Sequence, residues 1–314
     1  MLFLTLMNPL KKIAKNPFVL APMDNVTDLA FRELAEKNGA LYTVSELTSV
    51  EALIRENVPK YRYMRGNLKF NCVQLFGNDE KMFKHAIEKI ENEVDMIDIN
   101  FGCPSPSLIN NFCGAYLLKK PEKIASIINS VVKSTSKPIS AKIRLGYDKK
   151  EHIVISKIIE DSGADLITVH GRTAKQKYSG IADWNSIFQV KSNVNIPVIG
   201  NGDILKEDDI LDKIGLVDGI MIGRGAMGNS FIFKRLKYFM QKSKKLDYDR
   251  KDIQKKDFDF YLKRLDEIDL YKKDLKVQMQ AMWFFKGIEG AKDLRINICK
   301  DRNITNTMSV IKKF

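Results

Sequence analysis

Cys103 lies between Gly102 and Pro104 at the end of an apolar run, in a turn suited to holding its thiol rigidly. A cysteine whose pKa stays near the ordinary value of about 8.5 is mostly thiol at neutral pH and can donate a proton as a general acid. A nucleophilic role would need a base partner to make thiolate. Lys142 and Arg144 stand two residues apart within another apolar run, and on a strand that spacing sends both side chains to one face. A buried ammonium needs an anionic partner. A bound flavin would supply one, since its reduced ring carries negative charge at the N1–C2=O edge; an internal salt bridge is the other reading. His170 ends a further run and either contacts the same group or is a satisfied core histidine.

Two later segments, Gly200-Asn-Gly-Asp203 and Gly223-Arg-Gly225, are glycine-rich. Glycines let the backbone approach a ligand closely, and Arg224 can pair with a phosphate, so a phosphorylated cofactor is the first inference and ordinary tight turns the second. Gly223, Gly225 and Gly228 also spell GxGxxG. A dinucleotide fingerprint would need an acidic residue about 20 positions on, at the end of a strand, and Asp247 falls in a Lys/Asp-rich run without strand pattern.

These residues must be positioned by something, and the chain supplies eight short, β-branched apolar runs. They occupy 17–22, 41–46, 70–75, 95–100, 138–144, 165–170, 196–200 and 218–223, with amphipathic stretches such as 80–92 and 122–134 between them. Near-continuous hydrophobicity is expected of parallel strands buried on both faces. Eight β/α units predict a TIM barrel, with a doubly wound open sheet as the alternative. In a barrel the active site forms at the C-terminal ends of the strands. Those ends are polar here: Met23-Asp24, Glu46, Gln74, Asn100 to Pro104, Lys142 and Arg144, His170 to Arg172, Asn201 to Asp203, and Gly223 to Gly225. A ring of buried polar groups implies a ligand or a dense internal network.

After about residue 240 the strand pattern stops. Leu262, Leu265, Ile268 and Tyr271/Leu275 recur at helical spacing, which predicts a small all-helical domain. The expected division is a catalytic barrel over 1–240 and a helical domain over 241–314. The chain has 314 residues and a net charge of +13. Residues 241–314 hold 19 basic and 12 acidic side chains, so about half the excess lies there. That segment is the better candidate for contact with a polyanion; the run Lys242 to Lys256 reads either as part of that contact or as a solvated helix face. A 44% hydrophobic share excludes wholesale disorder. Four cysteines without a CxxC pair suggest neither a disulfide framework nor a metal site, and fit a reducing, cytoplasmic compartment. Cys72 and Cys299 read as structural, and Cys113 is open. The run Met1 to Leu10 has the pattern of neither a signal peptide nor a membrane span, and no stable protein partner is implied.

Taken together, the motifs resemble those of the tRNA-dihydrouridine synthases. They are Ala21-Pro-Met-Asp-Asn-Val-Thr-Asp28, Val73-Gln-Leu75, Asp98-Ile-Asn-Phe-Gly-Cys-Pro104 with Gly114-Ala-Tyr-Leu-Leu118, Ala141-Lys-Ile-Arg-Leu-Gly146, Val169-His-Gly-Arg-Thr173, Ile199-Gly-Asn-Gly-Asp203 and Ile222-Gly-Arg-Gly225. Residues 278–295 also resemble the family's C-terminal helical domain, with Gln280 where a histidine is common. The resemblance implies a flavoenzyme that binds FMN, is reduced by NADPH or NADH, and reduces the C5–C6 double bond of selected uridines in tRNA. It implies FMN contacts from Pro22, Met23, Asp24, Gln74, Lys142, His170, Asn201, Gly202, Asp203, Gly223 and Arg224. Cys103 would protonate C5 as hydride passes from flavin N5 to C6, and Asn100 and Arg144 would address the uracil edge. A flavin barrel acting on a free pyrimidine or a dihydroorotate-like molecule is the competing enzyme reading; an RNA-binding protein without chemistry is the third.

Overall fold

The computed structural model describes residues 13–268 and 273–300, with side chains described for 13–268 and 277–297. The opening apolar run and Tyr271, and the side chains of Leu275 and Cys299, lie outside the described residues. Eight of its strands are β1 (Phe18–Leu20), β2 (Thr43–Val44), β4 (Asn71–Phe76), β5 (Met96–Asn100), β6 (Ile139–Arg144), β7 (Leu166–His170), β8 (Val198–Asn201) and β9 (Gly219–Ile222). Each falls within or against one of the eight apolar runs. β1 pairs in parallel with both β2 and β9, and β2 pairs with β4. The remaining neighbours pair in sequence order, so the sheet closes on itself and the fold is a TIM barrel. That closure excludes the open doubly wound sheet. A two-residue β3 (Thr48–Ser49), which periodicity is too short to reveal, extends the pairing along β4.

The chain folds this way because the strands have no polar face to spare: all residues of β1, β5, β7, β8 and β9 are buried. The surrounding helices carry their own start signals. Asp28, Asp79 and Asp183 each accept a backbone N–H at the start of Leu29–Lys37, Glu80–Ile90 and Trp184–Asn193, a cap worth about 1 kcal/mol. Pro121 opens Pro121–Val132, where its missing N–H costs nothing.

Among the described residues beyond β9 there are helices and no strand, the longer helices being Ile232–Lys242, Arg250–Ile268, Lys273–Phe284 and Ala291–Lys300. The buried stripe of Arg250–Ile268 is Gln254, Asp257, Phe258, Tyr261 and Leu265, while Leu262 and Ile268 are only partly buried. The phase is set by an aromatic cluster in which Phe258 meets Phe284 and Phe285 edge-on and Phe284 meets Phe31 of the barrel. These residues share one continuous core with the barrel helices. Polar contacts weld the same seam: Arg264 pairs with Glu33, Asn38 donates to Asp257, Tyr261 donates to Asp28, and Gln280 donates to the carbonyl of Val26. Within the lysine run, Lys245 pairs with Asp208 and Lys256 with Asp252. Among the described residues no helix is long and apolar enough to cross a membrane.

Candidate active site

The C-terminal ends of the strands enclose a cavity of about 470 Å³, within the usual size of a cofactor pocket. All the site residues expected from the sequence line it: Pro22, Met23, Asp24, Gln74, Asn100, Cys103, Lys142, Arg144, His170, Asn201, Gly202, Asp203, Gly223 and Arg224. Tyr178, Leu47 and Met227 join them without a signal in the sequence, since loops carry no periodicity. A second cavity of about 680 Å³ adjoins the first and shares Asp24, Leu47 and Cys103 with it.

Lys142 and Arg144, on one face of β6, behave differently. The Lys142 ammonium makes one long hydrogen bond, 3.4 Å to Asn201 Oδ1. Burial, and then the neighbouring Arg144 charge, lowers its pKa to about 8. It is a partly buried, weakly paired cation that lines the cavity. Arg144 is spent on the protein: its Nε donates to Gly102 O, and its Nη1 donates to Thr173 O and Lys177 O. It ties the loop after β5 to the loop after β7, and its ring neighbour is Tyr178.

Asn100 is similarly committed, its Nδ2 donating to Gln74 Oε1 and its Oδ1 accepting from the backbone N–H groups of Gly102 and Cys103. Asp203, in the left-handed region at φ 54°, accepts from both terminal nitrogens of Arg172, from Arg224 and from Ala182 N. Those charges and bonds hold its carboxyl below the ordinary range despite the opposing effect of burial. Asp203 thereby aims Arg224, half-exposed at the rim, with Tyr178 stacked 5.1 Å from its guanidinium. Burial and then the cations of Lys142, Arg144, Arg172 and Arg224 depress His170 to about 2, so its imidazole is neutral throughout the physiological range. Arg172 Nη1 lies 3.4 Å from His170 Nε2. A guanidinium can only donate, which puts the imidazole proton on Nδ1.

The glycines differ in what a Cβ would meet. A Cβ on Gly200 would strike Trp184 at 2.3 Å and one on Gly225 would strike Ile204 O at 2.3 Å, so these two serve helix and loop packing. A Cβ on Gly202, whose φ is 137°, would strike Ala182 at 2.5 Å. At Gly223, which lines the cavity, the nearest atoms are Ala21 Cβ and Met23 Sδ at 3.7 and 3.8 Å, ordinary van der Waals contacts that leave room for a side chain or a ligand. Cys72 is wholly buried in mid-strand, and burial pushes its thiol well up. Cys113 is buried too, raised to about 11, and donates to Asn111 O. Cys103 is the one described cysteine that lines the cavity, and it is only partly buried. Gln280 is fully buried, which makes it an anchor for the β1 loop and not a surface group.

The model of the family "Dihydrouridine synthase (Dus)" matches residues 19–309. The chain belongs to the dihydrouridine synthase family. A protein of Rickettsia conorii named "Probable tRNA-dihydrouridine synthase" is 40% identical over 232 residues, 71% of this chain and 70% of that protein. Its namesake in Rickettsia prowazekii is 34% identical over 90% of both chains. The "tRNA-dihydrouridine synthase B" of Shewanella oneidensis is 35% identical over 74% of both. Among solved structures, histamine dehydrogenase from Rhizobium sp. 4-9 superposes with a TM-score of 0.50 at 12% identity, covering 70% of this chain and 45% of that one. The chain therefore spans less than half of that larger protein, and the likeness is one of barrel fold. The dihydrouridine synthase motifs quoted from the sequence all fall within the matched range.

Proposed function

We propose that this dihydrouridine synthase family member reduces the C5–C6 double bond of uridines in folded tRNA, with FMN in the 470 Å³ cavity, NADPH or NADH as electron source, and Cys103 as general acid. The observation that carries the reading is the under-paired, partly buried Lys142 ammonium in the same cavity as Cys103. A partly desolvated cation with one weak partner fits an anionic group, and the remaining donors fit FMN. Lys142 would hold the electron-rich edge of the ring, Arg224 the phosphate, and the open face of Gly223 would leave room for it. When bound there, FMN would supply hydride chemistry, with C6 of the pyrimidine as the acceptor.

The protein's own part is to place and protonate the base. Cys103 Sγ would give its proton to C5, a step for which a positioned general acid contributes typically 10²- to 10⁴-fold. Neutral His170 would offer Nδ1–H without adding charge. The target base must leave its stack to lie flat in the cavity, with affinity drawn from phosphate contacts on a basic surface. In a cell lacking the gene, dihydrouridine mapping of total RNA should show a signal lost from tRNA. The wild-type gene should restore it and a Cys103→Ala gene should not; full restoration by Cys103→Ala would remove the general-acid assignment.

A further inference from the structure

Asp98 has no assigned role, yet it begins a chain of hydrogen bonds that ends on Cys103. It sits on β5 two residues before Asn100, on the same face of the strand, and is 2% exposed. Its Oδ1 accepts from Ser140 Oγ at 2.5 Å and its Oδ2 from Gln74 Nε2 at 2.6 Å. Because that oxygen accepts, Gln74 must turn its NH₂ toward Asp98 and its Oε1 away. Gln74 Oε1 then accepts from Asn100 Nδ2 at 2.8 Å. Asn100 in turn presents Oδ1 to the next turn, accepting from Gly102 N at 3.1 Å and Cys103 N at 2.9 Å. Either amide reversed would bring N–H against N–H in a buried site, at the full cost of unmet donors.

We propose that Asp98 is a positioning residue for the protonation step: its carboxylate sets the polarity of the Gln74 and Asn100 amides and so fixes the turn that carries Cys103. The proposal rests on the reading of Cys103 as the acid. The other sides of the turn are held independently. Gly102 O accepts from Arg144 Nε, and Cys103 O accepts from Ala115 N beside Gly114, whose φ of 59° permits the approach. The relay supplies the acceptor for the N–H groups of Gly102 and Cys103, so losing it frees the turn on that side only. Asp98 also acts electrostatically on Lys142, an effect that Asp98→Leu and Asp98→Asn remove alike.

The test compares Asp98→Leu with Asp98→Asn in flavin-loaded protein. Asn can keep its carbonyl toward Gln74 and turn its NH₂ to the Ser140 hydroxyl, which preserves the relay; Leu cannot. The readouts are iodoacetamide alkylation of Cys103, corrected with Cys103→Ala, RNA-dependent reoxidation of reduced flavin, and flavin reduction by NADPH. Asp98→Leu should slow RNA-dependent reoxidation by about 10- to 100-fold, the scale of a misplacement near 1 Å. It should also change the alkylation rate at Cys103, and Asp98→Asn should restore both readouts; flavin reduction, which reports the loss of charge beside Lys142, should be alike in the two variants. Wild-type alkylation and reoxidation in Asp98→Leu, or an Asp98→Asn variant as impaired as Leu, would overturn the proposal. Should Asp98→Leu not fold, Gln74→Met cuts the same relay one link later and must alter alkylation of Cys103; an unchanged rate overturns the proposal equally. If Cys103→Ala itself turns RNA over at the wild-type rate, the acid assignment falls, while alkylation still reports whether Asp98 places the thiol.

Discussion

Replacing Lys142 by Met should make the flavin-free protein more stable and the flavin complex weaker. Met keeps most of the aliphatic stem and removes the ammonium, which the fold holds with one 3.4 Å hydrogen bond and a pKa near 8 in place of 10.5. A group whose folded pKa is depressed in this way binds fewer protons folded than unfolded between those two values, so wild-type stability rises with pH across that window. Below pH 8 the penalty is present almost in full. Linkage gives about 3 kcal/mol at pH 7 and about 1 kcal/mol at pH 10 for the penalty that Met relieves. Urea unfolding of flavin-free wild type and variant at both pH values reads the difference directly, and the comparison cancels other groups that titrate. Over the same range FMN affinity of the wild type should fall as pH rises through about 8, and that dependence should vanish in Lys142→Met. A variant that is less stable than wild type at pH 7, or a stability difference that does not shrink by pH 10, would refute the claim that Lys142 is an unsatisfied cation awaiting an anion.

The seam between barrel and C-terminal helices gives a second prediction. Tyr261 and Gln280 hold Asp28 and Val26, next to the loop that bears Met23 and Asp24, so Tyr261→Phe and Gln280→Leu should weaken FMN binding several-fold as well as costing about 1 kcal/mol each in stability; isothermal titration with FMN showing no change in either would separate the helices from the cofactor site. Replacing Lys242 and Lys244 by Gln should lower tRNA affinity and reduce the slope of log affinity against log salt by about 2, with FMN binding unchanged; an unaltered slope in filter binding would make that run a solvated helix face.

The strands were legible because each is an apolar run bounded by turn residues, and β5 or β7 can be read directly from DMIDIN or DLITVH. Closure was not, because the pairing of β1 with β9 joins segments at opposite ends of the barrel sequence, and local periodicity carries no such information. The site was legible at the level of position: polar residues at strand ends converge once the sheet is parallel and closed. Its hydrogen-bond economy was not. Nothing in the spacing of Asn100 and Arg144 shows that their polar atoms are largely taken up by Gln74 and by three backbone carbonyls. Nor does it show that Gly200 and Gly225 serve packing while Gly223 faces the cavity. The helical stripe was shifted in phase because Phe258 and Tyr261 dock on Phe284 and Asp28, partners fixed by tertiary packing and invisible to a pattern of leucines.

The central claim is that one cavity reduces a uridine within RNA and that Cys103 supplies the proton. Its most direct test is a single turnover without oxygen, in which NADPH-reduced, flavin-loaded protein is mixed with unmodified tRNA transcript while flavin absorbance and dihydrouridine are followed together. Wild-type protein should reoxidise its flavin as dihydrouridine forms in equal amount, and Cys103→Ala should keep its flavin reduced in the presence of the same RNA. Rapid reoxidation by free uracil or dihydroorotate-like compounds with none by tRNA, or equal turnover in Cys103→Ala, would contradict it.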